Sequence, residues 1–134
     1  MPSPPVLPDV EKLVVDSLKA RPEPTGATVD NAAPAGFDGT QPVVLVSRAG
    51  WAWIDDAHLD RPLVGLEVYG PTKTAAHTLA LSARSAVQAL RATTYGTAVV
   101  TDVVEADGPR WLPGWNRAAA NRYYSTTRLY IRPA

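Results

Sequence analysis

Residues 61–92 read RPLVGLEVYGPTKTAAHTLALSARSAVQALRA, and two hydrophobic periods meet in that stretch. From Leu63 to Tyr69 the residues alternate, with Val64, Leu66 and Val68 on one face, which is the period of a half-buried strand. Gly70-Pro71-Thr72 breaks the strand, and Thr72 supplies a helix N-cap. From about Thr72 to Ala92 the period becomes helical. Ala76, Leu79, Ala80, Ala83, Val87 and Leu90 form one stripe, and Lys73, His77, Arg84, Gln88 and Arg91 form the opposite one. The many alanines favour helix and permit close packing, and Gly96 lies just beyond the end. A strand that turns tightly into a long one-sided helix predicts a helix lying on a sheet.

On the N-terminal side, Val43 to Val46 is a continuous apolar run ending at Ser47-Arg48, the pattern of a strand covered on both faces. Ala49 to Arg61, with its tryptophans and aspartates, reads as an exposed connection. Residues 21–41 are rich in Pro, Gly, Ala, Asp and Asn and read as a loop. A loop of about 20 residues inside a compact domain is functional or contains short strands. Val10, Leu13, Val14 and Leu18 predict an amphipathic helix over Asp9–Ala20, capped by Asp9 and stopped by Pro22 and Pro24. Four prolines make residues 1–8 an extended arm.

On the C-terminal side, Thr97 to Glu105 is β-branched and strand-like, and Ala106-Asp107-Gly108-Pro109 reads as a turn. Residues 110–120 form an aromatic loop. Tyr123 to Arg132 alternates, with Leu129 and Ile131 on one face and Arg128, Tyr130 and Arg132 on the other. The order helix, loop, strand, strand, helix, strand, strand predicts a single α+β domain over residues 1–134, a sheet with two main helices on one face.

A chain of 134 residues has the length of one ordinary domain. Its hydrophobic fraction of 46% and charged fraction of 19% are those of a globular protein. No apolar run approaches the ~18 residues that span a bilayer, and MPSPPVLPDV has neither the basic nor the apolar region of a secretory signal. The absence of cysteine excludes disulfides, thiolate nucleophiles and zinc–thiolate sites. Zero formal net charge excludes binding to DNA or an acidic membrane by overall charge alone. Residues 1–67 nevertheless carry ten acidic and five basic side chains, and residues 68–134 three and eight. The two halves attract copies of the chain, attract each other within one fold, or simply solvate different faces.

Chemistry is thinly represented. Gly65 to Gly70, followed by Pro71-Thr72, lacks the lysine a phosphate loop needs and reads as strand. Asp55-Asp56-x-His58-x-Asp60 is a metal-like cluster, but its spacing matches no calcium loop. It reads as a solvated acidic loop, with weak divalent-ion binding as the alternative. Ser, His and acid do not occur in a nucleophile-elbow context, and two histidines are few bases for catalysis. No cofactor, metal or catalytic residue is assigned, and the chain is not expected to be an enzyme. The four tryptophans and five tyrosines sit largely in or near 51–53 and 111–124. There they stack nucleobases, anchor a protein interface, or cap the edge of a small core.

Taken in order, several segments resemble the tail terminator family of long-tailed bacteriophages, small proteins also described as tail completion or minor tail proteins. These are PDVEKLVV at 8–15, PVVLVSRAG at 42–50, RPLVGLEVYGPTKTAAHTLA at 61–80, VVTDVVEADGPRWLPGW at 99–115 and NRYYSTTRLYIR at 121–132. The order of the pieces over residues 8–132 carries the resemblance. Trp51 and Gly114 stand where relatives often have a glycine and an aspartate.

The resemblance implies a mixed or mainly antiparallel sheet with helices packed on it. It also implies a hexameric ring in the virion, at the tail and neck, assembled in the cytoplasm of a bacterial host. Such a ring caps the tail tube, stops its polymerisation and presents a surface to the head–tail connector, with DNA as passing cargo. Trp51, Trp53, Asp55, Asp56 and Arg61 are then expected on a loop meeting the tube or a neighbouring subunit. Trp111, Trp115, Arg117 and Tyr123 flank a second contact surface, and Arg84, Arg91, Arg128 and Arg132 are candidates for the lumen. The alternatives are another neck, head-completion or tube protein and, more distantly, a small metal-dependent enzyme using Asp55, Asp56 and His58.

Overall fold

A computed structural model describes residues 8–21, 26–56, 59–113 and 121–133, with the backbone alone for 50–56 and 113. The arm expected at 1–8 lies almost wholly outside this set. Helix α1 spans Val10–Lys19. Its cap is the one the sequence predicts: the Asp9 carboxylate accepts from the amides of Glu11 (3.0 Å) and Lys12 (3.3 Å). The apolar stripe of Val10, Leu13, Val14 and Leu18 is buried, together with Val15.

Six strands form one sheet: β1 (Thr28–Asp30), β2 (Val43–Asp56), β3 (Leu59–Gly70), β4 (Thr93–Tyr95), β5 (Ala98–Pro113) and β6 (Asn121–Pro133). Their order is β1-β2-β3-β6-β5-β4. β1 runs parallel to β2 and the other pairings are antiparallel, so the sheet is mixed. Helix α2, Lys73–Gln88, lies over β3, β6 and β5, and α1 lies beside it over β2 and β3. The α+β architecture with both helices on one face is therefore present.

The ladder explains the core. Val46 pairs with Leu66 and Leu66 with Ser125; Val64 pairs with Thr127, Val103 with Leu129 and Val100 with Ile131. All of these side chains are buried beneath the helices. Ala76, Ala80, Ala83 and Ala86 bring α2 close to that surface. Gly70 shows how close: a Cβ there would stand 2.7 Å from the backbone nitrogen of Ala76. That contact accounts for a glycine which, from sequence, serves only as a strand breaker.

Several expectations are corrected. β2 does not end at Ser47-Arg48 but continues to Asp56, so 49–56 and 59–61 are the two arms of a hairpin rather than a loose connection. β2 is covered on both faces only at its start: Val44 and Val46 are buried on one face, while on the other Val43 is buried, Leu45 half-buried and Ser47 exposed. Ala106–Pro109 is not a turn. β5 runs through it with register shifts between Glu105 and Asp107 and between Asp107 and Arg110, the bulges by which a strand accommodates a Gly-Pro step. Residues 110–113 accordingly belong to β5 rather than to a loop.

The helix predicted to reach Ala92 stops at Gln88. Ala92 takes a positive φ of 64°, and a two-residue Gly96-Thr97 turn, with Gly96 at φ 58°, joins β4 to β5. The 21–41 segment holds the short strand β1.

Candidate assembly interface

The register sets the geometry of the exposed surfaces. Asp60 of β3 pairs with Ile131 near the end of β6, and Gly70 pairs with Asn121 at its start. The β2–β3 hairpin and the β5–β6 hairpin therefore point out of opposite ends of the sheet. Trp51, Trp53, Asp55 and Asp56 all lie on the outer arm of β2, where Trp53 pairs with Arg61 and Asp56 with Leu59. Trp111 lies at the other end, on β5, paired with Tyr123. His58, Trp115 and Arg117 lie outside the described residues.

At the β5–β6 end, Trp111 is 43% exposed and the Lys73 ammonium sits 4.5 Å from its ring centre. Tyr123 is 8% exposed, with the His77 ring 5.1 Å away. Tyr123 thus belongs to the core beneath α2 and does not itself form a contact surface, because it lies in the inward row of β6 with Ser125 and Thr127. Lys73 and His77 on the exposed face of α2 extend this aromatic patch.

At the opposite end, Asp60 is 2% exposed and pairs with Arg48 at 2.7 Å. Glu11 of α1 accepts from the backbone amide of Arg48 at 2.8 Å and from the Asn31 side chain at 3.3 Å. One carboxylate thus ties α1 to the backbone of β2. Asp60, expected in an acidic loop, is instead the buried anchor of the hairpin's base.

Ion pairs among the described residues lie mostly within one half of the sequence and leave its uneven charge standing; Arg122 and Glu67, at 3.8 Å, join the two halves. Asp9 caps α1, Asp16 accepts from Lys12 and from the Tyr95 hydroxyl, both at 2.7 Å, and Glu67 accepts from Tyr69 at 3.0 Å. Three acids in the basic half each meet an arginine. Glu105 receives both arms of Arg84, Asp102 accepts from Arg91 at 2.8 Å, and Asp107 lies 3.5 Å from Arg110. The Arg84 guanidinium holds the Glu105 carboxyl below its usual range. Asp102 is lowered by Arg91 and then by the Val103 amide, and Asp16 by Lys12 and then by Tyr95. Arg84 and Arg91 are thereby committed to β5.

A groove of about 330 Å³ beside α2 is lined by Pro42, Pro71, Ala75 and Leu79 with the hydroxyls of Thr78 and Ser82, and holds no titratable side chain. Among the described residues no three His, Asp or Glu side chains gather as a metal site. What the described side chains display is an exposed aromatic surface at the β5–β6 end of the sheet, where Lys73 lies over Trp111. The fold is a known one. It is similar to that of a chain in the virion of a native gene transfer agent particle, at 14% identity and a TM-score of 0.67. The likeness covers 92% of this chain and 94% of that one. No family model and no curated protein matches the sequence. With nearly the whole of both chains covered, the fold is shared as a whole rather than as a fragment.

Proposed function

We propose that this chain is a structural virion protein: a ring subunit that caps the tail tube, stops its polymerisation and offers a surface for head–tail joining. The observation that carries this reading is the end-to-end fold similarity to a chain of a gene transfer agent virion. It supports a structural rather than catalytic role. The ordered resemblance of residues 8–132 to tail terminators narrows that role to the tube end.

The surfaces support the same assignment. A closed ring needs two different, complementary patches on each subunit. The hairpins leave the sheet at opposite ends, with Trp51, Trp53, Asp55 and Asp56 on one and Trp111 on the other. The β2–β3 arm is assigned to the tube or the neighbouring subunit, and the Trp111–Lys73 end to the second contact.

Electron microscopy of particles assembled without this protein, and then with it restored, tests the reading. Tubes of abnormal length beside unattached full heads are expected, with rescue on restoration. Normal-length tails that fail to attach would move the protein to head–tail joining, and filaments formed by the purified chain would make it a tube subunit. Normal infectious particles would sink the assembly role altogether. The double substitution Asp55→Ala/Asp56→Ala is expected to weaken capping; unchanged ring formation and tube length would remove the β2–β3 arm from the interface.

A further inference from the structure

On each side the sheet ends in a strand of three residues, β1 beside β2 and β4 beside β5. Among the described residues, β1 covers only Val43–Leu45 and β4 only Ala98–Val100. Beyond them each neighbouring strand keeps a regular register for a short run, before register shifts break the ladder. The runs are residues 46–49 of β2 and, after one shift, 102–105 of β5. A regular, unpaired run of edge is a template for a strand from another chain, whereas a bulge deters one.

A charged side chain occupies both runs. On β2 the Pro42 carbonyl accepts from the Thr28 amide at 3.0 Å, so residues of the same parity turn their backbone groups toward the outer edge. Arg48 is one of them, and its amide donates to the Glu11 carboxylate at 2.8 Å. The other oxygen of Glu11 accepts from the Asn31 side chain at 3.3 Å, just after β1 ends at Asp30. Glu11 thus stands where the next carbonyl of β1 would be. On β5 the Val103 carbonyl accepts from the Arg91 guanidinium, and the Val103 amide donates to Asp102 at 2.8 Å. Asp102 in turn accepts from Arg91 at 2.8 Å. An acid meets the outward donor on one edge, and a base meets the outward acceptor on the other.

We propose that Glu11 and Arg91 are latches that close the two edges of the sheet to strand addition by a second copy of this chain. An incoming strand needs the Arg48 amide and the Val103 carbonyl for its ladder, and both are engaged while the latches hold. Placement argues for this role: the two contacts fall on the regular run beside each short edge strand, where pairing would otherwise begin. Charge argues for it as well, because an added strand would strip water from the carboxylate or guanidinium. A second copy carries both kinds of edge, so β2 of one chain against β5 of another would repeat from copy to copy. The β5 latch is a light one. The Arg91 and Asp102 side chains are 51% and 52% exposed, and a surface pair of that kind adds little to stability, so its work is to occupy the edge. The inference concerns the free chain and does not rest on the ring assignment.

Sedimentation velocity of the full chain over a concentration series, with amide exchange followed at Arg48 and Val103, tests it. Glu11→Ala and Arg91→Ala each open one edge and should give pairs of the parent species. The double substitution opens both edges and should give longer series at concentrations where the parent is unchanged. In dilute Glu11→Ala the Arg48 amide should exchange about tenfold faster than in the parent, and regain protection as the larger species form. Glu11→Gln keeps an acceptor for that amide and should stay close to the parent. Lys12→Ala removes a neighbouring charge of α1 that pairs with Asp16, and should not associate. Should Glu11→Ala fail to fold, Arg91→Ala, at a half-exposed side chain, carries the test by its sedimentation. Folded variants that sediment as the parent does would reduce both side chains to internal ties and overturn the proposal. Larger species in which Arg48 and Val103 gain no protection would overturn it too, since the copies would then meet elsewhere.

Discussion

Arg48 and Asp60 show how one pair of residues holds the base of an exposed hairpin. Asp60 is 2% exposed and Arg48 28%, so the carboxylate is deeply buried and the guanidinium reaches toward solvent. Removing the cation strands a buried charge, which is far more costly than the pair's own net contribution. Arg48→Met is expected to destabilise the chain by about 2–4 kcal/mol, at or below the range for broken buried pairs because Arg48 is partly solvated. Asp60→Asn/Arg48→Met should recover part of that loss. Urea unfolding of the two variants beside the parent measures both, and equal losses would show that the pair does not act as a unit. In sequence, Asp60 looked like one more member of an acidic cluster. No local pattern reveals a partner twelve residues back, because the pairing depends on the hairpin register.

At the scale of elements, α1 and the strand-turn-helix of β3 and α2 were legible because local signals agree with the tertiary answer. Capping, period and breaker all point the same way in Asp9–Lys19 and in Leu63–Gln88. The hairpin arms were not legible as strands. Trp51-Ala52-Trp53-Ile54 favours β-structure by residue type, but Asp55 and Asp56, which follow it, imitate a loop. Gly108-Pro109 imitates a turn because a bulge and a turn use the same residues. β1 and β4, three residues each, fall below what periodicity can detect.

The links between elements also give the molecule an acid-sensitive range. Asp16 joins α1 to β4 through Tyr95, and Glu105 and Asp102 join β5 to α2 and to the turn after it. All three carboxyls are held below their ordinary values of 3.8 for Asp and 4.5 for Glu. Their extra stabilisation is therefore complete above those ordinary values and is lost as pH falls through the depressed ones. The thermal midpoint is expected to decline as pH falls below the ordinary carboxyl values, with Asp102→Asn shallower than the parent over that range. Identical pH profiles for the two proteins would show that Asp102 contributes nothing to the linkage.

For the whole molecule, the fold was recoverable from the sequence, but the placement of the contact residues was only partly so. The two tryptophan-bearing segments do lie apart, at opposite ends of the sheet, and Tyr123 turns inward where an outward role was expected. The reason is parity: one residue's displacement along a strand exchanges core for surface. The alternation from Tyr123 to Arg132 sets Tyr123 on the face of Leu129 and Ile131, at odds with a place beside a contact surface, and the structure follows the alternation.

A mismatch in length follows from this architecture. β2 has 14 residues and β5 has 16, so they extend roughly 46 Å and 53 Å. The 16 residues of α2 cover only about 24 Å. The sheet thus overhangs its helical layer at both ends. Among the described residues, β1 pairs only with Val43–Leu45 of β2 and β4 only with Ala98–Val100 of β5, and the remaining outer edges carry no further ladder. Amide protons of residues 49–56 and 107–113 should exchange with solvent deuterium much faster than those of Val64–Val68 in the isolated protein, and slow markedly in assembled particles. The chain carries more sheet than its own helices shelter, and its stability is accordingly expected to be partly a property of the company it keeps.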